Sequence, residues 1–394
     1  MTQYRFKVWQ ELTMAQALSL LCGLLLMGPT ACQGSSVVSQ SSPVHNNTPA
    51  LASQVSEDTQ TLRNILKQGD RLTQMEAWNG KALFIKVDDT QKPPQFQSIS
   101  YRAQYQDTNN NQKQDSGDEG FFNPASTVKV AIAALTLERL NKLKISRAAE
   151  YRVVGTQRWF SIEDDLRTML VASDNDATNR LILLLGFQHL NETMRSRGLQ
   201  QYAVTRLMLN QGTLIDSPAI EIRIPGSPLP QQAVTGTLIR LPKQTVTDQW
   251  DCYEVGKKSG NCASAHDLAG ILMRVVYPQA FASGQGFDLR PADRQWMQQV
   301  MSKTPQESGL NLENTFCRFL DPLGKDLAHQ SGRLLSKCGI GLFSHTFVDT
   351  SFLETDPGQK YFIIFAVTPP RRVSKSESIR WLNETSRFIL TKLN

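Results

Sequence analysis

The stretch "FNPASTVKV" (residues 122–130) places a serine and a lysine three positions apart, at the start of the apolar segment 127–143. The apolar spacing predicts a helix over 127–143, so Ser126 and Lys129 would lie one turn apart on the same face. A helix N-terminus stabilises negative charge near the serine, and burial lowers the pKa of a lysine. Lys129 is therefore a candidate general base for the Ser126 hydroxyl. The alternative is a helix cap followed by a lysine that snorkels to the surface.

Two further polar motifs follow along the chain. The tripeptide "SDN" (173–175) stands between predicted helices at 161–173 and 177–186, where its side chains can project into a cleft. The tripeptide "KCG" (337–339) lies in a predicted strand that a further strand follows. The chain thus holds three separated motifs whose polar side chains could meet in one site.

The order Ser-x-x-Lys, Ser-Asp-Asn and Lys-x-Gly is typical of penicillin-recognising serine enzymes. Over residues 56–394 the chain resembles the class A β-lactamase family, within the wider group of penicillin-binding transpeptidases and carboxypeptidases. The resemblance implies that Ser126 is the acylated nucleophile. It also implies that Lys129 accepts the serine proton, directly or through water.

The other two motifs receive roles from the same resemblance. Ser173 would pass a proton to the leaving nitrogen, and Asn175 would bind the substrate amide and hold Lys129. Lys337 would supply positive potential to Ser173 and to the substrate carboxylate. The backbone N–H groups of Ser126 and Ile340 would form the oxyanion hole. The substrate-binding positions would be Asn175, Cys338 and Gly339.

The tripeptide "KSG" (258–260) is a competing match to the third motif. It runs directly towards the predicted helix 264–276, and no strand is predicted for it. The family pattern requires a sheet strand with another strand after it. Lys337 is therefore the candidate lysine of the third motif.

The chain departs from the family at Cys338, where the family has threonine or serine to bind the substrate carboxylate. A thiol is a weak hydrogen-bond donor, and a half-cystine has no donor at all. Carboxylate recognition is therefore expected to weaken or to use another group, such as His345 or Arg333.

A second departure concerns deacylation. The resemblance implies that a glutamate in an E-x-x-x-N pattern should activate the hydrolytic water. The nearest match is "RLMLN" (206–210), where Asn210 is in place but Arg206 replaces the glutamate. Glu221 and Glu254, further along the chain, do not begin that pattern. We therefore expect an acyl-enzyme that hydrolyses slowly.

The order of the predicted elements is typical of an α+β fold. They are helix 57–76, strands 81–87 and 96–105, helices 127–143, 161–173, 177–186, 264–276 and 291–301, strands 332–340, 344–354 and 361–367, and a helix from 374. Strands at both ends of a helical middle predict an antiparallel sheet flanked by N- and C-terminal helices, with an inserted all-helical lobe. The cleft between sheet and lobe is the expected site.

Residues 1–32 are typical of an export signal. Basic residues precede the apolar segment 15–28, which is too short to span a bilayer. The segment runs on into "PTAC", so Cys32 is a candidate lipidation site of a lipoprotein-type signal. Pro29 stands where such signals usually have leucine, and simple cleavage is the alternative.

The rest of the chain divides into a tether and a body. Residues 33–55 are rich in Ser, Gln, Asn and Pro and are interpreted as a flexible linker. Residues 56–394 form the hydrolase domain, in which residues 211–261 are interpreted as an insertion. We expect an exported protein in the periplasm or at the cell surface, with membrane anchoring through Cys32 if the signal is of the lipoprotein type.

Six cysteines occur, of which two lie in the signal segment. In an oxidising compartment the remaining four allow three pairings. Nearest-neighbour pairing would join Cys252 to Cys262 and Cys317 to Cys338. No pattern typical of a zinc site is present.

The polar stretch "DTNNNQKQDSGDE" (107–119) has the ligand spacing of an EF-hand loop. Gln112 stands where such a loop needs glycine, so the alternative is a solvated hairpin tip. A structural calcium ion is the one metal for which the sequence offers ligands. They are Asp107, Asn109, Asn111, Asp115 and Asp118.

Composition and motifs narrow the function classes. The net charge is +6 and no lysine- or arginine-rich run occurs, which argues against nucleic-acid binding. The chemistry of the motifs requires no cofactor. The expected partner is a β-lactam or a peptidoglycan stem peptide, and we expect a monomer. The competing interpretation is a non-catalytic cell-wall-binding or β-lactam-sensing protein on the same fold, and no G-x-S-x-G motif supports a Ser-His-Asp hydrolase.

Overall fold

A six-stranded sheet separates two hydrophobic cores. The computed structural model describes residues 55–103, 122–209, 216–224, 238–248, 250, 252–254, 257–310, 319–327, 332–341, 344–356 and 358–393. All the helices and strands given below belong to one compact unit. The mixed architecture confirms the predicted α+β fold.

The strands of the central sheet come from the two ends of the described chain. In spatial order they are β1 (Val55–Asp58), β3 (Gln95–Arg102), β2 (Lys81–Asp88), β14 (Lys360–Val367), β13 (Thr346–Glu354) and β12 (Arg333–Gly341). Neighbours are antiparallel, except that β1 pairs with β3 in parallel. The sheet therefore ends at β1 on one side and at β12 on the other.

The middle strands are apolar on both faces because each face covers a core. In β14, Phe362 and Ile364 belong to one core, whereas Ile363 and Phe365 belong to the other. Successive side chains of a strand point to opposite faces. The continuous apolar run of β14 is thus the pattern of a strand buried on both sides.

Helices cover both faces of the sheet, as predicted. The helical lobe consists of Lys129–Lys142, Ile162–Val171, Asn175–Leu185, Phe187–Ser196, Ala265–Val276 and Pro291–Ser302. The opposite face is covered by Thr59–Gln68, Leu72–Ala77, Asp321–Leu327 and Lys375–Leu393. Short 3-10 turns occur at Ala125–Val128 and Pro278–Ala280.

Two helices differ from the sequence prediction. The helix expected over 57–76 is broken after Gln68, where Asp70 takes a positive φ of 53° and a turn redirects the chain. The helix Phe187–Ser196 was not predicted. Gly186, with a φ of 81°, is the one residue between this helix and the preceding one, and the mostly polar sequence FQHLNETMRS gave no continuous apolar pattern to predict it from.

Unlike the all-helical lobe that the sequence predicted, the lobe contains a second sheet, to which the region interpreted as an insertion contributes. Its strands β7 (Ile220–Arg223) and β8 (Leu238–Leu241) join β4 (Glu150–Val153) and β5 (Phe160–Ser161) in the order β5-β4-β7-β8. Two smaller pairs follow, β6 (Ala203–Val204) with β11 (Asn261–Cys262), and β9 (Cys252–Glu254) with β10 (Lys257–Ser259). A disulfide joins Cys252 and Cys262, the pair that nearest-neighbour spacing predicted.

Several predictions concern residues outside the described ranges. They are the export signal with Cys32, the linker before residue 55, the candidate calcium ligands at 107–118, and Cys317. Cys338 is disulfide-bonded, and its bond partner lies outside the described ranges too. Of the helices that are described, none is long and apolar enough to cross a bilayer.

Candidate active site

Ser126 lies in a tight turn at the entry to the first helix of the lobe. Asn123 Oδ1 accepts a hydrogen bond from the Ala125 N–H at 3.0 Å, and Ala125 has a positive φ of 48°. The Thr127 hydroxyl donates to the Pro124 carbonyl at 2.7 Å. These contacts fix a 3-10 turn over Ala125–Val128, and the α-helix begins only at Lys129. The predicted helix is thus present, but its first turn is tighter than an α-turn.

Lys129 is fully buried, and its ammonium group is surrounded by oxygen atoms. Nζ donates to the Ser173 carbonyl at 2.7 Å, to Asn175 Oδ1 at 2.8 Å and to Ser173 Oγ at 3.1 Å. The first two atoms can only accept hydrogen bonds, whereas a hydroxyl can also donate. A neutral amine can therefore keep two of its N–H bonds and turn its lone pair towards a hydroxyl.

Ser173 and Asn175 face Lys129 because of the bend between two helices. Ser173 has a positive φ of 56°, which reverses the chain after the helix Ile162–Val171. Asp174 caps the next helix, since its carboxylate accepts the Ala177 N–H at 2.7 Å. The exposed Asp174 thus fixes the helix end, while its two neighbours reach the lysine.

Lys337 is the second buried lysine, and β12 carries it to the same place. Its side chain has no exposed surface, and burial lowers its pKa to about 7. Burial also holds the pKa of Lys129 well below its ordinary value, and the nearby charge of Lys337 lowers it further. The structure therefore brings together Lys129 and Lys337, from helix and strand, as the sequence motifs predicted.

Gly339 allows β12 to approach the turn that carries Ser126. A Cβ at position 339 would lie 2.5 Å from the Ser126 nitrogen and 2.9 Å from the Pro124 carbonyl oxygen. No larger residue fits without moving the strand. Because β12 is an edge strand, alternate N–H groups on its outer side form no ladder bond within the sheet. The Ser126 N–H and the edge after Gly339, where Ile340 stands, are therefore adjacent.

The side chain of Cys338 is not in this cleft, which corrects the prediction that it contacts substrate. It is fully buried in the core on the opposite face of the sheet, together with Phe319 and Phe347. It is also half of a disulfide and has no proton to donate. Only the backbone at position 338 can face a ligand.

The sequence analysis offered His345 and Arg333 as groups that could bind the substrate carboxylate in place of Cys338. The prediction for Arg333 is wrong. Arg333 stands at the far end of β12, four residues from Lys337, and pairs with Glu354 at 3.0 Å. His345 lies in the turn after β12, half-buried, with Nδ1 2.9 Å from the Pro369 carbonyl oxygen. Nδ1 is therefore the donor, and in the neutral ring Nε2 can only accept, so a neutral His345 ring has no N–H left for a substrate carboxylate.

The loop after β6 places Met208, rather than Arg206, against the helix that carries Asn175. Asn179 Oδ1 accepts the Met208 N–H at 2.6 Å, and Asn179 Nδ2 donates to the Met208 carbonyl at 3.3 Å. The Arg206 side chain instead lies on Gly260, where an added Cβ would be 1.7 Å from Nε. The side chain of Arg206, the position that the spacing of "RLMLN" selected, thus lies away from the helix that carries Asn175, and Asn210 lies outside the described ranges.

The two glutamates that the sequence analysis considered, Glu221 and Glu254, do not add a described carboxylate to this loop. Glu221 is buried in the second sheet and pairs with Arg152 at 2.8 Å and with Arg240 at 2.5 Å. Glu254 belongs to β9, and its side chain is not among those described. The described part of the loop after β6 thus places Met208, and no carboxylate, against the helix that carries Asn175.

The competing tripeptide at 258–260 is a strand in part, which the sequence did not predict. Residues Lys257–Ser259 form β10, but this strand pairs only with β9 in a two-stranded sheet. Ser126 lies beside β12, as shown by Gly339. The choice of Lys337 as the third-motif lysine therefore agrees with the placement of the strands.

Two asparagines that the sequence analysis passed over organise the site. Asn179 holds Met208, and Asn261 Oδ1 accepts the N–H groups of Thr205 at 2.9 Å and Arg206 at 3.2 Å. Asn179 could have been found, because it lies four residues after Asn175 on the same helix face. Asn261 has no such signal, since its contacts join distant parts of the chain.

Comparison with known proteins shows the family of the chain. A model of the β-lactamase enzyme family matches residues 95–393. No sequence of a curated protein matches the chain.

Solved structures of the same architecture cover most of the chain. A mutant of PBP-A in an acyl-enzyme complex with penicillin G is 16% identical, with a TM-score of 0.52, and covers 84% of this chain and 97% of its own. The chromosome-encoded β-lactamase of Vibrio parahaemolyticus is 13% identical, with a TM-score of 0.52, covering 84% and 99%. A variant of the ancestral class A β-lactamase of Gram-negative bacteria is 16% identical, with a TM-score of 0.51, covering 83% and 97%. At such identities these structures show a shared fold and no more.

Proposed function

Because the chain belongs to the β-lactamase enzyme family, we propose that it is an exported serine hydrolase that β-lactams or D-Ala-D-Ala-type amides acylate at Ser126. The observation that carries the proposal is the buried Lys129, which directly follows the 3-10 turn of Ser126. Its Nζ donates hydrogen bonds to Ser173 and Asn175. A lysine with a lowered pKa is a base at neutral pH.

Acylation would use the residues in the following way. Lys129 takes the Ser126 proton, directly or through water, while the serine oxygen attacks the amide carbonyl. The developing oxyanion accepts hydrogen bonds from the N–H groups of Ser126 and Ile340, a contribution of about 10²–10³ in rate per donor. Ser173 then passes a proton to the leaving nitrogen, and the nitrogen–carbon bond breaks to leave an ester on Ser126.

Deacylation would be slow because the loop beside the motif helix carries Met208. A thioether cannot take a proton from water, so it cannot act as a general base. The protein would therefore hold its acyl adduct and behave more like a penicillin-binding peptidase than an efficient β-lactamase. Export, a cell-wall substrate, anchoring through Cys32 and a monomeric state belong to the same proposal.

Intact-mass spectrometry after exposure to benzylpenicillin tests the proposal. We expect the mass to rise by that of one penicillin, and the adduct to persist for minutes to hours. The control is Ser126→Ala, which removes the nucleophile and should show no adduct. Rapid turnover without a detectable adduct would contradict slow deacylation.

A non-catalytic cell-wall-binding or β-lactam-sensing protein is the second candidate. The burial of the Cys338 side chain and the absence of a carboxylate on the described loop favour it. The same measurement separates the two, since a binder would leave the mass of the wild-type protein unchanged.

A further inference from the structure

A buried acid lies directly beside the third-motif lysine, on the reverse face of the sheet. Asp349 on β13 has no exposed surface and stands opposite Cys338 in the strand register, whereas Lys337 stands opposite Thr350. Asp349 and Lys337 are therefore diagonal neighbours, with Cα atoms roughly 6 Å apart. Their side chains leave the sheet on opposite faces, so they do not need to touch to interact electrostatically.

The Asp349 carboxylate is fixed by hydrogen bonds in surroundings that are otherwise apolar. It accepts the Phe319 N–H at 3.2 Å and the Ser336 hydroxyl at 3.3 Å, and it accepts the Ser351 hydroxyl as well. Cys338 and Phe347 belong to the hydrophobic core on the same face. Burying a charge costs free energy unless it is hydrogen-bonded. The arrangement keeps an acid where the core alone would favour an apolar residue.

Among the charged groups described around Lys337, Asp349 is the acid that stabilises the charged form of the lysine. Lys129 faces Lys337 from the helical lobe and carries a charge of the same sign. Asp174 is exposed, so solvent screens its charge. The helix Pro291–Ser302 also packs against β12, but its Asp293 pairs with Arg147 and Arg290. Burial lowers the pKa of Lys337 to about 7, and the charge of Asp349 opposes that lowering.

We propose that Asp349 is a positioning residue that acts through Lys337: from the reverse face of the sheet, its charge keeps the Lys337 ammonium charged where the substrate carboxylate is to bind. The role of Lys337 rests on the proposed function, whereas the link between Asp349 and Lys337 does not. Asp349 itself does not reach the cleft, because Cys338 and the strand backbone lie between them.

The expected effect is a shift along the pH axis. Lys337 loses its charge as the pH rises through its pKa, and removal of Asp349 lowers that pKa. Acylation by benzylpenicillin should therefore fail at a lower pH in Asp349→Asn than in the wild type, by roughly one pH unit. Asp349→Leu, which fits the apolar core, should show the same shift and covers the case in which the asparagine variant folds poorly.

Two readouts test the inference. The first is the pH dependence of the second-order acylation rate, and the second is an NMR titration of ¹³C-labelled lysine side chains, with the Lys337 signal assigned by its loss in Lys337→Met. The control is Ser351→Ala, which removes a hydrogen bond to Asp349 but keeps the charge, and its midpoint should stay at the wild-type value.

Equal NMR midpoints in the wild type and both Asp349 variants would overturn the inference. A lower midpoint in both variants, with Ser351→Ala unchanged, would support it. If the wild type forms no adduct at all, the proposed function fails, but the NMR midpoints still decide the link between Asp349 and Lys337.

Discussion

At the scale of single residues, the described site holds the groups that the proposed acylation uses, whereas the described part of the loop after β6 (205–209) carries no carboxylate. Lys129 has two obligatory acceptors and one hydroxyl around Nζ, an arrangement that serves both the ammonium and the neutral amine, because the hydroxyl can accept or donate. On the loop, Asn179 fixes both backbone groups of Met208 beside the motif helix. The backbone at position 208 is thus held in place, and the side chain that it carries decides what chemistry this position can offer.

A glutamate at position 208 is expected to speed hydrolysis of the acyl adduct. Met208→Glu would put a carboxylate on the backbone that Asn179 anchors, and a positioned general base is typically worth about 10²–10⁴ in rate. The adduct lifetime after removal of free penicillin, followed by intact mass, measures the effect.

Two variants control this experiment. Met208→Gln has the same shape but no base and should keep the long lifetime. Arg206→Glu should not shorten it either, because the side chain at 206 lies on Gly260 rather than beside the motif helix. Equal lifetimes in Met208→Glu and Met208→Gln would contradict the role given to position 208.

At the scale of elements, the short strands around the disulfide hold the start of the loop that carries Met208. β11 pairs with β6, and Asn261 in β11 caps the turn by accepting the N–H groups of Thr205 and Arg206. The disulfide ties β11 to β9 in turn. The region interpreted as an insertion therefore ends in a hairpin that supports the site.

Removal of the disulfide should loosen this loop selectively. Cys252 and Cys262 are ten positions apart, and closing a loop of that length stabilises a protein by about 2–3 kcal/mol. The double variant Cys252→Ala/Cys262→Ala should lose about that much in urea unfolding. Its Thr205 and Arg206 amides should also exchange hydrogen faster.

The double variant is preferable to chemical reduction, because a reductant would also reach the disulfide of Cys338. Amides of the helix Lys129–Lys142 serve as the internal control and should exchange as in the wild type. The prediction is contradicted if exchange becomes faster in that helix, or if the exchange of the Thr205 and Arg206 amides stays at the wild-type rate.

Regular patterns made the central elements and the motif residues predictable from the sequence. The apolar run after Ser126 and the context of Lys337, a predicted strand that a further strand follows, are local signals. From them and from the order of the motifs, the sequence predicted that Ser126, Lys129 and Lys337 meet in one site. Strand β1 and the second sheet have short, weakly patterned strands whose pairing depends on contacts distant in sequence. The hold of Asn179 on Met208 is of the same kind, which explains why spacing alone selected Arg206.

At the scale of the whole molecule, the site lowers the stability of the fold. Lys129 and Lys337 are both fully buried, and burial lowers the pKa of each. Between the folded pKa of Lys337 near 7 and its unfolded value near 10.4, the unfolded chain binds a proton that the folded chain does not. The free energy of unfolding should therefore rise with pH in this window.

Replacement of Lys337 by methionine should stabilise the protein and flatten that dependence. In Lys337→Met, the slope between pH 7 and pH 9 should fall by up to about 1.4 kcal/mol per pH unit, with the largest gain in stability at the lower pH. Urea unfolding at several pH values measures it. Lys243→Met, which replaces an exposed lysine, should leave the slope as it is, and equal slopes in Lys337→Met and the wild type would contradict the burial cost.

Strand β1 and the strand beside the Ser126 turn lie at opposite edges of the central sheet. The chain enters the described fold through β1, at the edge of the sheet opposite β12 and the Ser126 turn. Five strand spacings of about 4.8 Å separate the two edges, a width of roughly 24 Å. A group attached to Val55 itself is therefore held about that distance from the strand that approaches the Ser126 turn.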